Sequence, residues 1–117
     1  MKIFVDDIRT PIDPTWIIAR SYNEFVDILN IEGLKKIDII SLDHDLGDIY
    51  SDVEKTGMDC AKFLIDLSLD SGVKLPQIYV HSDNTVGAEN IKAIVNNWFK
   101  FNKLSNTCVR VNIPHNI

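Results

Sequence analysis

Short apolar runs alternate along this chain with stretches in which apolar residues recur every third or fourth position. Ile3-Phe4-Val5 predicts a buried strand ending at Asp6-Asp7, and Trp16-Ile17-Ile18-Ala19 predicts a second. Between them Pro11 and Pro14 forbid a helix. Ser21-Tyr22-Asn23-Glu24 has the capping-box pattern, and Tyr22, Phe25, Val26 and Leu29 follow at helical spacing. Ile37 to Leu42 reads as a third strand. Thr56-Gly57-Met58-Asp59 reads as a helix start, with Ala61, Leu64 and Ile65 on the apolar face. After Pro76, Ile78-Tyr79-Val80 forms a fourth strand that runs into His81-Ser82-Asp83-Asn84. From Ala88 onward Ile91, Ile94, Val95, Trp98 and Phe99 mark the clearest helix, and Cys108 to Ile113 closes with a fifth strand.

Strands alternating with helices imply an α/β fold with a mostly parallel sheet. No repeat, low-complexity tract or linker interrupts the 117 residues, so positions 1–117 read as one domain. In open sheets of this kind, ligands bind beyond the carboxyl ends of the strands. Three polar clusters, "DD", "LDHDLG" and "HSDN", sit at such ends.

Composition narrows the function. The chain is 45% hydrophobic and 25% charged, as ordinary globular proteins are. No apolar run is long enough to span a bilayer, and "MKIFVDDIR" is too short in its apolar part for a signal peptide; a cytoplasmic, membrane-free setting is expected. A net charge of −5 argues against a duplex DNA footprint, though not against recognition of one nucleotide or one RNA end. Cys60 and Cys108 lack metal or redox spacing and read as buried, reduced thiols.

The clusters carry the candidate chemistry. In a sheet of order 2-1-3-4-5 the first and third strands are neighbours, so Asp6, Asp7 and Asp43 are expected to meet. Like charges at ~4 Å cost on the order of several kcal/mol at an effective dielectric near 20 unless a cation intervenes. An all-oxygen cluster suits Mg²⁺ or Mn²⁺ rather than zinc. His44 and His81 end adjacent strands and are candidates for proton transfer near neutral pH. Ser82 and Asn84 precede a helix opening near Gly87, where capping and phosphate binding by the helix amides are overlapping roles. Arg9 is placed to neutralise a phosphate. Asp45 is a supporting acid, Asp13, Asp48, Asp52 and Asp70 read as solvated loop residues, and His115 as incidental.

"FVDDIR", "SLDHDLG" and "VHSDNTVGAENI", in this order and at these strand ends, resemble the cyclic-phosphate processing receiver-like domain, a relative of response-regulator receivers. The resemblance covers nearly the whole chain and implies a flavodoxin-like, five-stranded fold, a divalent-metal site and activity on cyclic phosphate ends. Against an ordinary receiver, Asp6 and Asp7 match the metal-binding pair, Asp43 the phosphoacceptor and Ser82 the switch hydroxyl. Where a receiver carries a lysine just before a proline, this chain reads Asn112-Ile113-Pro114. The first and last receiver helices are not visible in the pattern. That leaves one sheet face thinly covered, with Phe4, Ile40 and Tyr79 expected at its surface under the proline loop or under a second subunit in a homodimer.

The sequence therefore points to metal-assisted hydrolysis of a cyclic phosphate on a nucleotide or RNA end. Asp6, Asp7 and Asp43 would hold Mg²⁺ or Mn²⁺, His81 and His44 would serve as general acid and base, and Arg9, Ser82, Asn84 and Gly87 would grip the phosphate. Direct attack by Asp43, a degenerate receiver phosphorylated on Asp43, and a non-catalytic binding module are the alternatives. The small size fits a phage or defence-associated protein, or a component of an RNA-repair operon.

Overall fold

Each strand of the sheet is set in register so that apolar side chains of the same parity line up across it. The computed structural model describes residues 1–47 and 54–112. Its strands are β1 (Lys2–Val5), β2 (Trp16–Ala19), β3 (Ile39–Leu42), β4 (Gln77–Val80) and β5 (Val109–Arg110). Its helices are α1 (Tyr22–Glu32), α2 (Gly57–Ser71) and α3 (Thr85–Phe101), with a 3₁₀ turn at Leu34–Lys36. All pairings are parallel and the order is β2-β1-β3-β4-β5. This is the receiver-like arrangement that the sequence predicts.

Ile3 lies beside Ile17 and Ile40, and Ile40 beside Ile78. Because side chains alternate along a strand, this register sends Ile3, Val5, Ala19, Ile40, Leu42, Ile78 and Val80 to one face. There they join Phe25 and Leu29 of α1, Cys60, Ala61 and Leu64 of α2, and Ala88, Ile91, Val95 and Phe99 of α3 in one core. Each fully buried Leu, Ile or Phe contributes roughly 1.5–3 kcal/mol relative to an exposed one. All three helices of the described residues thus pack on the same side.

The other face carries no helix among the described residues. Its small cluster is Phe4 and Trp16, with Ile39 and Val111 packed against them. The expectation that Phe4, Ile40 and Tyr79 lie exposed there needs correction. Ile40 is fully buried beneath the helices, because Ile39 is the β3 residue whose parity faces outward. Phe4 is fully buried too: the Trp16 ring meets it edge-on at 6.0 Å and His81 stacks on it. Tyr79 is half-buried. The proline loop helps cover this end: Pro11 is buried, and Asp13 takes the Lys2 ammonium, which lies 4.8 Å over the Trp16 ring. Trp16 Nε1 is buried with no hydrogen-bond partner among the described residues.

Local sequence sets the helix starts. Ser21 accepts from the Glu24 amide, Thr56 and Asp59 form a reciprocal capping box, and the Asn84 side chain accepts from the Gly87 amide at 2.9 Å. With Asn84 as cap, α3 opens at Thr85, three residues earlier than the apolar pattern suggested. Strand β3 begins later than expected because Leu34–Lys36 folds as a 3₁₀ turn. Strand β5 is two residues long, and the expected Ile113 lies outside the described residues. Cys60 and Cys108 are both buried and free, as read from their spacing.

Candidate active site

Alternation on β1, β3 and β4 also builds the polar site. Continuing the outward parity of Phe4, Ser41 and Tyr79 by one step reaches Asp6, Asp43 and His81. The ladder persists that far, since the Asp6, Asp43 and His81 amides donate to the carbonyls of Ala19, Val5 and Leu42 at 2.9–3.0 Å. Asp6, Asp43 and His81 therefore stand side by side on the helix-free face, each offering a ligand atom within 4.8 Å of the others.

Asp6 is fully buried. Its Oδ1 accepts from the Ile8 and Arg9 amides at 2.9 and 2.8 Å, and its Oδ2 lies 3.1 Å from His81 Nε2. Burial pushes this carboxyl up, but the His81 bond and the two amides outweigh it and hold Asp6 at about 2. An ionised Asp6 requires the proton on His81 Nε2. His81 Nδ1 is then the acceptor for the Ser41 hydroxyl at 2.6 Å. With the ring stacked on Phe4 at 4.2 Å and 1°, both nitrogens of His81 are engaged and its side chain is wholly buried.

Asp43 behaves in the opposite way. Burial pushes its carboxyl up, and the neighbouring Asp6 charge pushes it further. Bonds from the Ser82 hydroxyl and the His44 amide recover only part of that. Two buried carboxylates side by side, both with lone pairs left over, form a hard-oxygen donor set that fits Mg²⁺ or Mn²⁺. Bonded to Asp6, His81 fixes the direction of that carboxylate. Asp7 is not in this group. The next residue along the strand end points away from Asp6, and the Asp7 carboxylate lies against the turn at Gly47, whose φ is +53°.

His44 belongs to a second cluster. Its Nδ1 lies 2.8 Å from Asp45 Oδ1, and the Asn84 amide group approaches both carboxylate oxygens of Asp45 at 3.4 Å. The His44 bond, with help from Asn84, holds the Asp45 carboxyl below the usual carboxylate range. An ionised Asp45 accepts the hydrogen bond from His44 Nδ1–H and so orients the ring. The ring rests on α3 where Gly87 leaves room: a β-carbon there would fall 2.3 Å from His44 Cγ. Gly57 does the same for the backbone, since its β-carbon would fall 1.9 Å from the Asp43 carbonyl oxygen. This close approach lets the Gly57 amide donate to the His44 carbonyl at 2.8 Å and ties the amino end of α2 to the site.

Arginines frame these clusters. Arg9 donates from Nη1 to the His81 carbonyl at 3.3 Å and from Nη2 to exposed Asp83. Arg110 donates from Nε and Nη2 to the Ser82 carbonyl at 3.1 and 2.7 Å, and from Nη1 to Thr85 Oγ1 at 3.3 Å. Arg20 closes the β1–β2 loop on the carbonyls of Asp6 and Arg9 and on Thr10.

Of the residues predicted from sequence, the structure gathers Asp6, Asp43, His81 and Ser82 in one place, and His44 and Asn84 beside them with Asp45. Arg9 reaches the rim. Asn84 Oδ1 and the Gly87 amide serve each other as cap, which makes Gly87 a seat for His44 rather than a donor to a ligand. Asp13 is held at about 2 by Lys2, with further bonds from Thr15, while Asp70 is exposed. Asp48, Asp52, Ile113, Pro114 and His115 lie outside the described residues. Ser41 and Arg110 were missed. Ser41 is the one polar residue in "IISL", at an outward position, and that anomaly was readable.

No helix of the described residues is long and apolar enough to cross a membrane. No curated protein and no solved structure gave a match to the chain. The family model of the cyclic-phosphate processing Receiver domain matches residues 1–97, a span that holds β1 through most of α3 and every strand end of the acidic cluster. With that match laid over this fold, the chain belongs to the cyclic-phosphate processing receiver domain family.

Proposed function

We propose that this chain is a metal-dependent phosphoesterase that opens a cyclic phosphate, on a 2′,3′-cyclic RNA end or a cyclic nucleotide. The observation that carries the reading is the buried pair Asp6 and Asp43. One carboxylate is held ionised at about 2 and the other is pushed upward beside it. Such a pair is costly unless a cation shares it.

Asp6 and Asp43 are the residues that would hold Mg²⁺ or Mn²⁺. When bound, the cation supplies charge neutralisation for the phosphate and its transition state. The chain's own residues supply the rest. His81 and Ser41 lock Asp6 in place. His44, oriented by Asp45, takes a proton from the attacking water at Nε2 and returns it to the departing ribose oxygen. Arg9 leaves its exposed partner Asp83 and pairs with the phosphate, since such ion pairs are weak in water.

This assignment differs from two histidines acting as an acid and base pair. His81 has no free nitrogen and no exposure, so it positions Asp6 and His44 carries the proton traffic.

The test is to incubate the chain with a 2′,3′-cyclic nucleotide and with RNA ending in a cyclic phosphate, in Mg²⁺ or in EDTA. Phosphorus NMR should show conversion to a phosphomonoester in Mg²⁺ alone. Unchanged substrate in both conditions would contradict the reading.

A further inference from the structure

Two guanidinium groups converge on successive residues at the end of β4. Arg9 bonds the carbonyl of His81, and Arg110 bonds the carbonyl of Ser82 through two nitrogens. They come from opposite edges of the site, Arg9 from the loop after β1 and Arg110 from β5. The carbonyls they hold belong to consecutive residues. Ser82, whose carbonyl Arg110 holds, carries a hydroxyl that helps to offset the upward shift of Asp43.

The two arginines differ in what neutralises them. Arg9 has the carboxylate of Asp83. Arg110 has no carboxylate at ion-pair distance among the described residues, and the first turn of α3 beside it carries no acid. In a chain of net charge −5, this exposed guanidinium is, among the described residues, a cation without a carboxylate partner at the rim of the acidic site. Its grip on Ser82 fixes the direction of the fork, and hydrogens on Nη1 and Nη2 remain to donate.

A cyclic phosphodiester carries one negative charge, for which Arg9 and a cation already suffice. A second oriented guanidinium one residue along matches a second phosphate. We infer that Arg110 binds the phosphodiester next to the cyclic phosphate, so that the site prefers an oligonucleotide end over a cyclic mononucleotide. The inference rests on the phosphoesterase reading for the identity of the first phosphate. Arg110 lies beyond residues 1–97, the span matched by the family.

The experiment compares a cyclic mononucleotide with a dinucleotide ending in 2′,3′-cyclic phosphate, which adds one phosphodiester. The wild-type chain should favour the dinucleotide at least tenfold in kcat/KM, with a steeper loss on adding salt. In Arg110→Gln that ratio should fall below twofold, and Arg110→Lys, which keeps the charge without the fork, should lie between. A wild-type ratio near one, or a ratio unchanged in Arg110→Gln, would overturn the inference. Calorimetry with the same two ligands separates it from the catalytic reading. If neither ligand is cleaved, the phosphoesterase fails, while tenfold tighter dinucleotide binding that vanishes in Arg110→Gln still upholds the subsite. Equal affinities overturn it.

Discussion

The imidazole of His44 rests against the backbone of Gly87, so closely that a β-carbon at that position would fall 2.3 Å from Cγ and 2.5 Å from Cδ2. A glycine in the second half-turn of α3 is thus explained by a side chain from the far end of β3. Glycine costs helix stability relative to alanine by about 0.5–1 kcal/mol.

Gly87→Ala is expected to keep the fold and lose function. The gain in helix propensity offsets part of the clash, while the ring must leave its place beside Asp45 and Asn84. Turnover should drop by roughly 10²-fold, within the range that general acid–base catalysis supplies. Steady-state kinetics alongside thermal melting would check this; full activity would show that the position of the His44 ring is not used.

Gly57→Ala tests a backbone contact instead. Its new methyl would fall 1.9 Å from the Asp43 carbonyl oxygen, which no side-chain adjustment relieves. A loss of about 2–4 kcal/mol in urea unfolding is expected, in line with other overpacked sites.

The two histidines should separate cleanly. His81→Ala leaves Asp6 and Ser41 buried without their partner and removes the ring stacked on Phe4. It should cost roughly 3 kcal/mol of stability or more. His44→Ala touches a partly exposed group and should leave melting nearly unchanged while abolishing turnover. Equal stability losses would contradict the division of roles.

Acid and base sides of the stability curve report on the two carboxylates with opposite sign. Asp6 is depressed to about 2 from 3.8. Its stabilisation, on the order of 2 kcal/mol, is full above the unfolded value and is lost as pH falls through about 2. Asp43 is raised, so its ionisation opposes folding, and stability declines as pH rises through its folded value. In EDTA, Asp43→Asn should therefore raise the melting temperature at pH 7 and change little at pH 3. Mg²⁺ or Mn²⁺ should raise the wild-type melting temperature at pH 7 and leave Asp43→Asn unmoved.

Much of this site was legible because it obeys the two-residue period of a strand. Phe4, Asp6, Ser41, Asp43, Tyr79 and His81 share one face, so the meeting of acids and histidine followed once the strand order was fixed. What alternation could not supply was the step after each strand ends. Asp7 looked equivalent to Asp6, yet it turns to Gly47, and His44 looked equivalent to His81, yet it crosses to α3. Ile40 was misplaced because the run "IDII" offers an apolar residue at either parity, Ile39 and Ile40, so alternation alone does not say which one faces the helices. Arg110 was visible only as an outward residue of an edge strand. Its proposed role depends on β5 bringing Arg110 against the Ser82 carbonyl beyond the end of β4, a contact that no local pattern encodes.

The central claim is that Asp43 with a divalent cation, and His44 as proton carrier, together open a cyclic phosphate. Its most direct test is the initial rate of ring opening of a 2′,3′-cyclic phosphate substrate by wild type, Asp43→Asn and His44→Ala, each in Mn²⁺ and in EDTA. The account predicts turnover by wild type in Mn²⁺ alone and a loss of at least 10²-fold in either variant. Turnover that persists in EDTA, or that survives in both variants, would contradict it.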